Sequence, residues 1–205
     1  DAKDPTLDPE IATMVKQFRQ RAKSANFGLL YGMGANGFRI YARDSFGVIM
    51  SDEEAHKQRE QFFETYPGLV AWHKQSRWEA RQYLEVVSPL GRIRHLPLAR
   101  SPDFEAQGMA ERQAINSPVQ SCLSDMCLLA IVLLDQEFGD KGREIVGMTH
   151  DSTYGYIDEN LLSEIAPRIT ECMANLPLKE RFGWEPQLTF PADMQCGSSW
   201  GEMSN

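Results

Sequence analysis

Three constellations in this 205-residue sequence carry side chains that could do chemistry. Arg19, Lys23, Phe27 and Tyr31 recur every fourth residue. On a helix they would drift slowly around one face and span about 18 Å along it. Two cations at one end and two aromatic rings at the other suit a nucleoside triphosphate: guanidinium and ammonium groups hold phosphates, and a flat ring meets sugar or base. Gly28 and Gly32 would permit close approach. An amphipathic helix with solvated cations and buried aromatics has the same spacing. Arg112, Asn116 and Gln120 also fall four apart, a row of donors on one helix side. Such a row can follow a minor groove, where every base pair offers N3 or O2 acceptors at similar places, so contact is sequence-neutral; a water-capped polar helix side reads the same way. His150-Asp151-Ser152 lies between short apolar stretches, which puts a carboxylate on a tight turn where it can hold a divalent ion. Asx-turn chemistry explains the same triplet.

The elements that must position these groups follow from local pattern. Asp8 is a plausible N-cap for a helix over residues 9–31, with Ile11, Val15 and Phe18 at helical spacing and glycines interrupting from Gly32. Ser51-Asp52-Glu53-Glu54 is a second helix start; Pro67-Gly68 then punctuates before a run over 69–83, so a pair of antiparallel helices is expected. VVSPLGRIRHLP alternates on both sides of Pro89-Leu90-Gly91 and predicts a hairpin whose Arg92, Arg94 and His95 could reach phosphates. Residues 103–138 read as one long helix, densely apolar after Pro118, where a kink is expected. A second hairpin is expected over 144–157, followed by a helix to about 176 and a terminal strand.

With 42% apolar residues the chain can bury a substantial core. Net charge is −8, yet residues 1–100 carry 15 basic against 12 acidic side chains and the remainder 6 against 17. Phosphate binding needs a local basic surface and not a basic total, so the acidic balance excludes only indiscriminate DNA binding. Cys122, Cys127, Cys172 and Cys196 lack zinc or disulfide-framework spacing and read as packing residues. No apolar run is read as reaching membrane-spanning length, and the polar, acidic start is unlike a signal peptide. A cytoplasmic setting, in a bacterial or phage-infected host cell, and no membrane partner are the expectations.

Literal sequence narrows these readings. Arg19-x3-Lys23-x3-Phe27-x3-Tyr31-Gly32, with Asn26-Phe27-Gly28 inside it, resembles motif B of the family A, polymerase I-like DNA polymerases, phage members included. AERQAINSPVQ, residues 110–120, resembles that family's primer–template-contacting helix, and His150-Asp151-Ser152 resembles its motif C. Nearly all of residues 10–201 take part in the resemblance.

It implies an α+β fold: the fingers helices and part of the antiparallel palm sheet of a right-hand polymerase, with residues 1–83 as fingers and 84–205 as palm portion. It also implies Arg19 and Lys23 on the incoming triphosphate, Phe27 on its sugar and base, and Tyr31 beside the templating position. Arg112, Asn116 and Gln120 would contact primer–template DNA, His150 would lie near the primer terminus, and Asp151 would bind catalytic Mg2+. Phe27 is similar to the phenylalanine found where some members carry tyrosine, which implies poor use of dideoxynucleotides. The reaction implied is transfer of nucleotides from dNTPs to a primer 3′-hydroxyl by two metal ions.

Two departures stand out. Ser152 follows Asp151 where family A DNA polymerases usually have glutamate, and serine is what related single-subunit RNA polymerases carry. No segment resembles motif A, D-x-S-x-x-E-x-R, which normally precedes motif B and supplies the second aspartate; only eighteen residues precede Arg19. A second polypeptide carrying motif A and the thumb is therefore expected as a partner, as in a split or cleaved polymerase. An RNA-synthesising relative and a noncatalytic nucleic-acid-binding relic remain the alternatives.

Overall fold

The Asp8 carboxylate accepts from the Glu10 N–H at 2.8 Å, and Pro9, which has no N–H to lose, fills the first helical position. These residues start α1 (Pro9–Leu29). The computed structural model describes residues 8–139 and 143–203. Its contacts divide the chain into two compact units, the first comprising the chain up to Val86 together with Arg94–Asn116, the second Val87–Ile93 together with the chain from Ser117 onward.

In the first unit α1 stops at Leu29, before the expected Tyr31. The cause is Gly32 at φ +79°, a left-handed conformation in which a right-handed helix cannot continue. Gly32 N–H donates to Leu29 O at 2.9 Å and Met33 N–H to Gly28 O at 3.3 Å, the paired bonds of a Schellman ending. Next comes α2 (Ala35–Phe46), a helix the sequence reading did not anticipate, closed by Gly47 at φ 67°. α3 (Asp52–Thr65) begins with the expected capping box: Glu54 N–H donates to Ser51 Oγ at 3.1 Å and Ser51 N–H to the Glu54 carboxylate at 2.7 Å. α4 (Pro67–Tyr83) follows. Leu29, Phe38, Ala42, Val48, Met50 and Ala55 form one buried cluster, with Phe46, Phe62 and Phe63 packed against it. Ala80, Val86, Leu96, Ala99, Ala110 and Ala114 form another.

β1 (Glu85–Val87) pairs with β2 (Ile93–His95) through a turn in which Ser88 N–H donates to Arg92 O at 2.9 Å and Gly91 sits at φ 85°. One of its three basic side chains, Arg92, is paired with a carboxylate of the protein. Arg92 holds the Asp125 carboxylate, with Nε 2.9 Å from Oδ2, and His95 Nδ1 lies 3.1 Å from Glu85.

α5 (Phe104–Phe138) is continuous through Pro118, and its 35 residues run about 52 Å. By length and composition it is apolar enough to cross a membrane, which revises the expectation that no such run exists. Ala110, Ala114 and Ile115 are buried in the first unit and Cys122, Met126, Leu129, Leu134 and Phe138 in the second, while Leu123, Leu128 and Val132 on the same helix are exposed.

In the second unit β3 (Arg143–Thr149) pairs antiparallel with β4 (Ser152–Ile157), in a register that sets Thr149 opposite Ser152. A bulge falls between Ile145 and Gly147. Gly155 is required there, because a Cβ would stand 2.1 Å from Glu144 O. Ile145 and Ile157 pack on Leu134, Phe138, Ile165 and Ile169. α6 (Leu162–Ala174) and a short α7 (Leu178–Phe182) follow. The expected terminal strand is not formed: past Gly183 the described residues hold only an isolated bridge at Cys196 and a 3-10 turn. A strand needs a ladder, and both sheets among the described residues are two-stranded hairpins. The α+β class stands.

Removing the Ser51 hydroxyl breaks the arm of the capping box that accepts from Glu54 N–H and leaves the Ser51 N–H donating to the Glu54 carboxylate. Ser51→Ala is expected to lower unfolding free energy by about 1 kcal/mol in urea titration, with an unchanged denaturant slope.

Candidate functional site

Arg19, Lys23 and Phe27 are exposed on α1, while Ser24, Gly28 and Leu29 on its other side are buried. The face expected from spacing is thus formed by the first three residues. Tyr31 lies beyond the helix end, half-buried in the turn. Phe27 is 56% exposed, which rules out the plain amphipathic arrangement with its aromatics buried. Ile11, Met14 and Phe18 on the same helix are exposed as well, but Phe27 differs in being backed by a second ring. Phe46 of α2 lies parallel to it, centroids 6.4 Å apart at 8°, and Tyr41 meets Phe46 edge-on at 5.5 Å. Offset stacking of this kind restrains a ring without covering it. Gly28 lets α2 come this close, since a Cβ would press on Phe38 and Tyr41 at 3.3 Å.

Arg112 and Asn116 are exposed on the part of α5 belonging to the first unit. The neighbouring Glu111 faces α4, 3.6 Å from Arg77 and paired with Arg81. Gln120, exposed, belongs to the second unit.

His150 and Asp151 form the two-residue connection of the β3–β4 hairpin, both exposed. His150 takes φ 55°, a left-handed conformation that costs a non-glycine residue about 1 kcal/mol and is found mostly where function or surrounding structure demands it. Ser152 turns its Oγ to donate to Thr149 O at 3.0 Å, so its hydroxyl serves the turn. Burial pushes the Cys127 thiol of α5 above its ordinary pKa, and the Asp151 carboxylate adds to the shift. As for magnesium, among the described residues no group of three or more His, Cys, Asp and Glu side chains could hold a metal ion. Asp151 offers one hard oxygen donor and does not make a site by itself. A groove of about 650 Å³ in the second unit, lined by Leu133, Glu137, Arg168 and Cys172 among others, contains none of the singled-out residues.

Sequence reasoning missed Phe46 and Tyr41 entirely. The aromatic residues were visible, but nothing in their spacing ties them to Phe27 across a chain reversal.

Gly32 is needed twice over, for its φ and because a Cβ would lie 3.2 Å from the Ile115 and Arg77 side chains. Gly32→Ala is expected to cost roughly 1–3 kcal/mol in chemical denaturation. Gly34→Ala, with open space around its Cβ position but at the N-cap of α2, should cost less, about 0.5–1 kcal/mol.

A family model described as DNA polymerase family A matches residues 5–202. DNA polymerase I of Aquifex aeolicus (strain VF5) is 32% identical over 162 residues, which cover 78% of this chain and 26% of that protein. The DNA polymerase of Bacillus phage SP01 is 27% identical over 195 residues, 94% of this chain and 21% of the phage protein. Among solved structures, the POL domain of Pol1 from M. smegmatis, in complex with DNA primer-template and dNTP, superposes with a TM-score of 0.68 at 28% identity, covering 82% of this chain and 28% of that one. The chain thus spans about a fifth to a quarter of the length of these curated relatives. With a match that runs through almost every residue, this chain belongs to DNA polymerase family A.

Proposed function

We propose that the chain forms the nucleotide-gripping and primer–template-facing part of a template-directed DNA polymerase, acting in 5′–3′ nucleotidyl transfer from dNTPs to a primer 3′-hydroxyl. The observation that carries this reading is the α1 face: two exposed cations followed by an exposed, stacked phenylalanine, in the order a triphosphate, sugar and base require. Membership of the family and the likeness to a polymerase solved with primer-template and dNTP support it.

On this reading residues 1–83, with α1–α4, are fingers and residues 84–205 are palm. Arg19 and Lys23 hold the phosphates and neutralise charge as the bond between α-phosphorus and pyrophosphate breaks. Phe27, restrained by Phe46, packs on sugar and base, and Tyr31 lies beside the templating position. Arg112, Asn116 and Gln120 contact the minor groove without reading sequence, and His150 lies near the primer terminus. Asp151 is one carboxylate for magnesium, which when bound polarises the 3′-hydroxyl and offsets charge on the leaving group. The further donors and the thumb come from a segment with a motif A, which does not occur within these 205 residues. DNA synthesis is favoured over RNA synthesis because these relatives are DNA polymerases, despite Ser152.

Primer extension in magnesium, with the chain alone and mixed with a fragment carrying motif A, tests this proposal. Extension with deoxynucleotides in the mixture is expected; ribonucleotide preference would promote the RNA-polymerase reading, and inactivity of a confirmed assembly would favour a noncatalytic module. In the active mixture Asp151→Asn should abolish incorporation while sparing primer–template binding, and Lys23→Ala should chiefly raise KM for dNTP. Dideoxynucleotides should be poor substrates in a chain-termination assay. Phe46→Ala removes a ring contact worth about 0.5–1.5 kcal/mol, so KM for dNTP should rise roughly two- to tenfold at similar kcat.

A further inference from the structure

The carbonyls at the C-terminal end of α1 carry partial negative charge, yet the helix has no basic residue in its own last turn. Other helices supply the donors. His73 of α4 is 4% exposed and its Nε2 lies 2.7 Å from Leu30 O. A carbonyl only accepts, so Nε2 carries hydrogen and donates. Arg59 of α3 donates through Nε to Met33 O at 3.3 Å, and its guanidinium sits 5.0 Å over the Phe63 ring. The Phe63 and Trp72 rings flank the imidazole at 5.7 and 5.3 Å. Arg77, one turn along α4, lies against Gly32, where a Cβ would stand 3.2 Å from its terminal nitrogen.

The charged groups acting on the imidazole are Arg77 on its own helix and Arg59 on α3; from α1 it meets the Leu30 carbonyl. The carboxylate of Glu111 on α5 is engaged by Arg77 and Arg81. Burial first, and then Arg77 and Arg59, hold His73 below the ordinary histidine pKa, while the bond to Leu30 works the other way. The neutral imidazole is therefore the native form. Its stabilising contribution is fully present above the ordinary histidine value and is lost as pH falls toward the lower folded value. Protonation leaves the Nε2–H in place but adds a buried third cation beside two partly buried guanidiniums, which favours an imidazolium that leaves for solvent and takes its donor with it.

We propose that His73 is a positioning residue for nucleotide binding: as a neutral donor it fixes the Leu30 carbonyl and the Tyr31–Gly32 turn that ends α1, and its protonation releases that turn and weakens the grip on dNTP. The proposal rests on α1 being the nucleotide helix, as argued above.

Two readouts separate the clasp from that reading. Amide hydrogen exchange at Gly32 and Met33, corrected for intrinsic rate, is followed in this chain from pH about 7.5 to about 5, and KM and kcat for dNTP are measured in the primer-extension mixture over the same range. In the wild type, protection is expected to fall and KM to rise, each by roughly tenfold, with kcat nearly constant. His73→Gln, a donor that cannot be protonated in this range, should keep protection and flatten the KM profile. His73→Ala should lose protection at every pH; should it fail to fold, the glutamine variant and the wild-type titration still decide. Flat wild-type protection, or the same acid loss in His73→Gln, overturns the clasp. A pH-dependent turn with a flat KM overturns its link to nucleotide binding. A wild-type mixture with no dNTP-dependent extension at any pH overturns the reading of α1 itself, and with it the link, while exchange still decides the clasp.

Discussion

Backbone carbonyls at the end of a helix must find donors elsewhere, and the first unit is organised around one such end. α1 closes on itself through Gly32 and Met33, then borrows His73 from α4 and Arg59 from α3. These bonds fix where α3 and α4 meet α1 and bring residues far apart in sequence to one turn. Gly28 lets α2 lie against the same helix, and the packing that results sets Phe46 parallel to Phe27. The exposed face of α1 is thus held from behind at several levels. That is what a helix needs if its outward cations and ring are to meet a ligand in one orientation.

The second unit solves a different problem. Its hairpin is only two strands wide, and such a ribbon is marginal without a helix to cover one face. Ile145 and Ile157 find that cover on α5 and α6, while Val146, displaced by the bulge, and Tyr156 remain exposed at 55% and 72%. The hairpin tip carries His150 and Asp151 outward. His150 takes the left-handed conformation the tight turn needs, and the Ser152 hydroxyl bond to Thr149 O helps to hold that turn and with it the position of Asp151.

What could be read from the sequence was what depends on neighbouring residues. Asp8 and Ser51 mark helix starts through bonds that span two or three residues, and both sit where expected. The β3–β4 turn and the long reach of α5 follow from local alternation and from an uninterrupted helical pattern. The family was legible because Arg19 to Gly32 and Ala110 to Gln120 are long literal matches. Other features depend on packing across the chain and left no local trace. Nothing local marks that Arg92 is held by Asp125, thirty-three residues on. α2, with a glycine in its first turn, has no strong start signal, and the expected last strand lacks a sheet to join. Tyr31 shares the fourfold spacing but not the helix, which ends at Leu29 in the turn built around Gly32.

Pro118 has no N–H, so α5 lacks the bond that would reach back to Ala114 O, and the gap lies at the step from Asn116 to Ser117 where one compact unit gives way to the other. The helix is continuous there but lacks that one bond. Cooperativity along a helix passes from turn to turn through such bonds. A missing one makes the seam a partial firebreak: fraying that starts on one side is not handed on in full, and each half of α5 draws its persistence mainly from the core it serves.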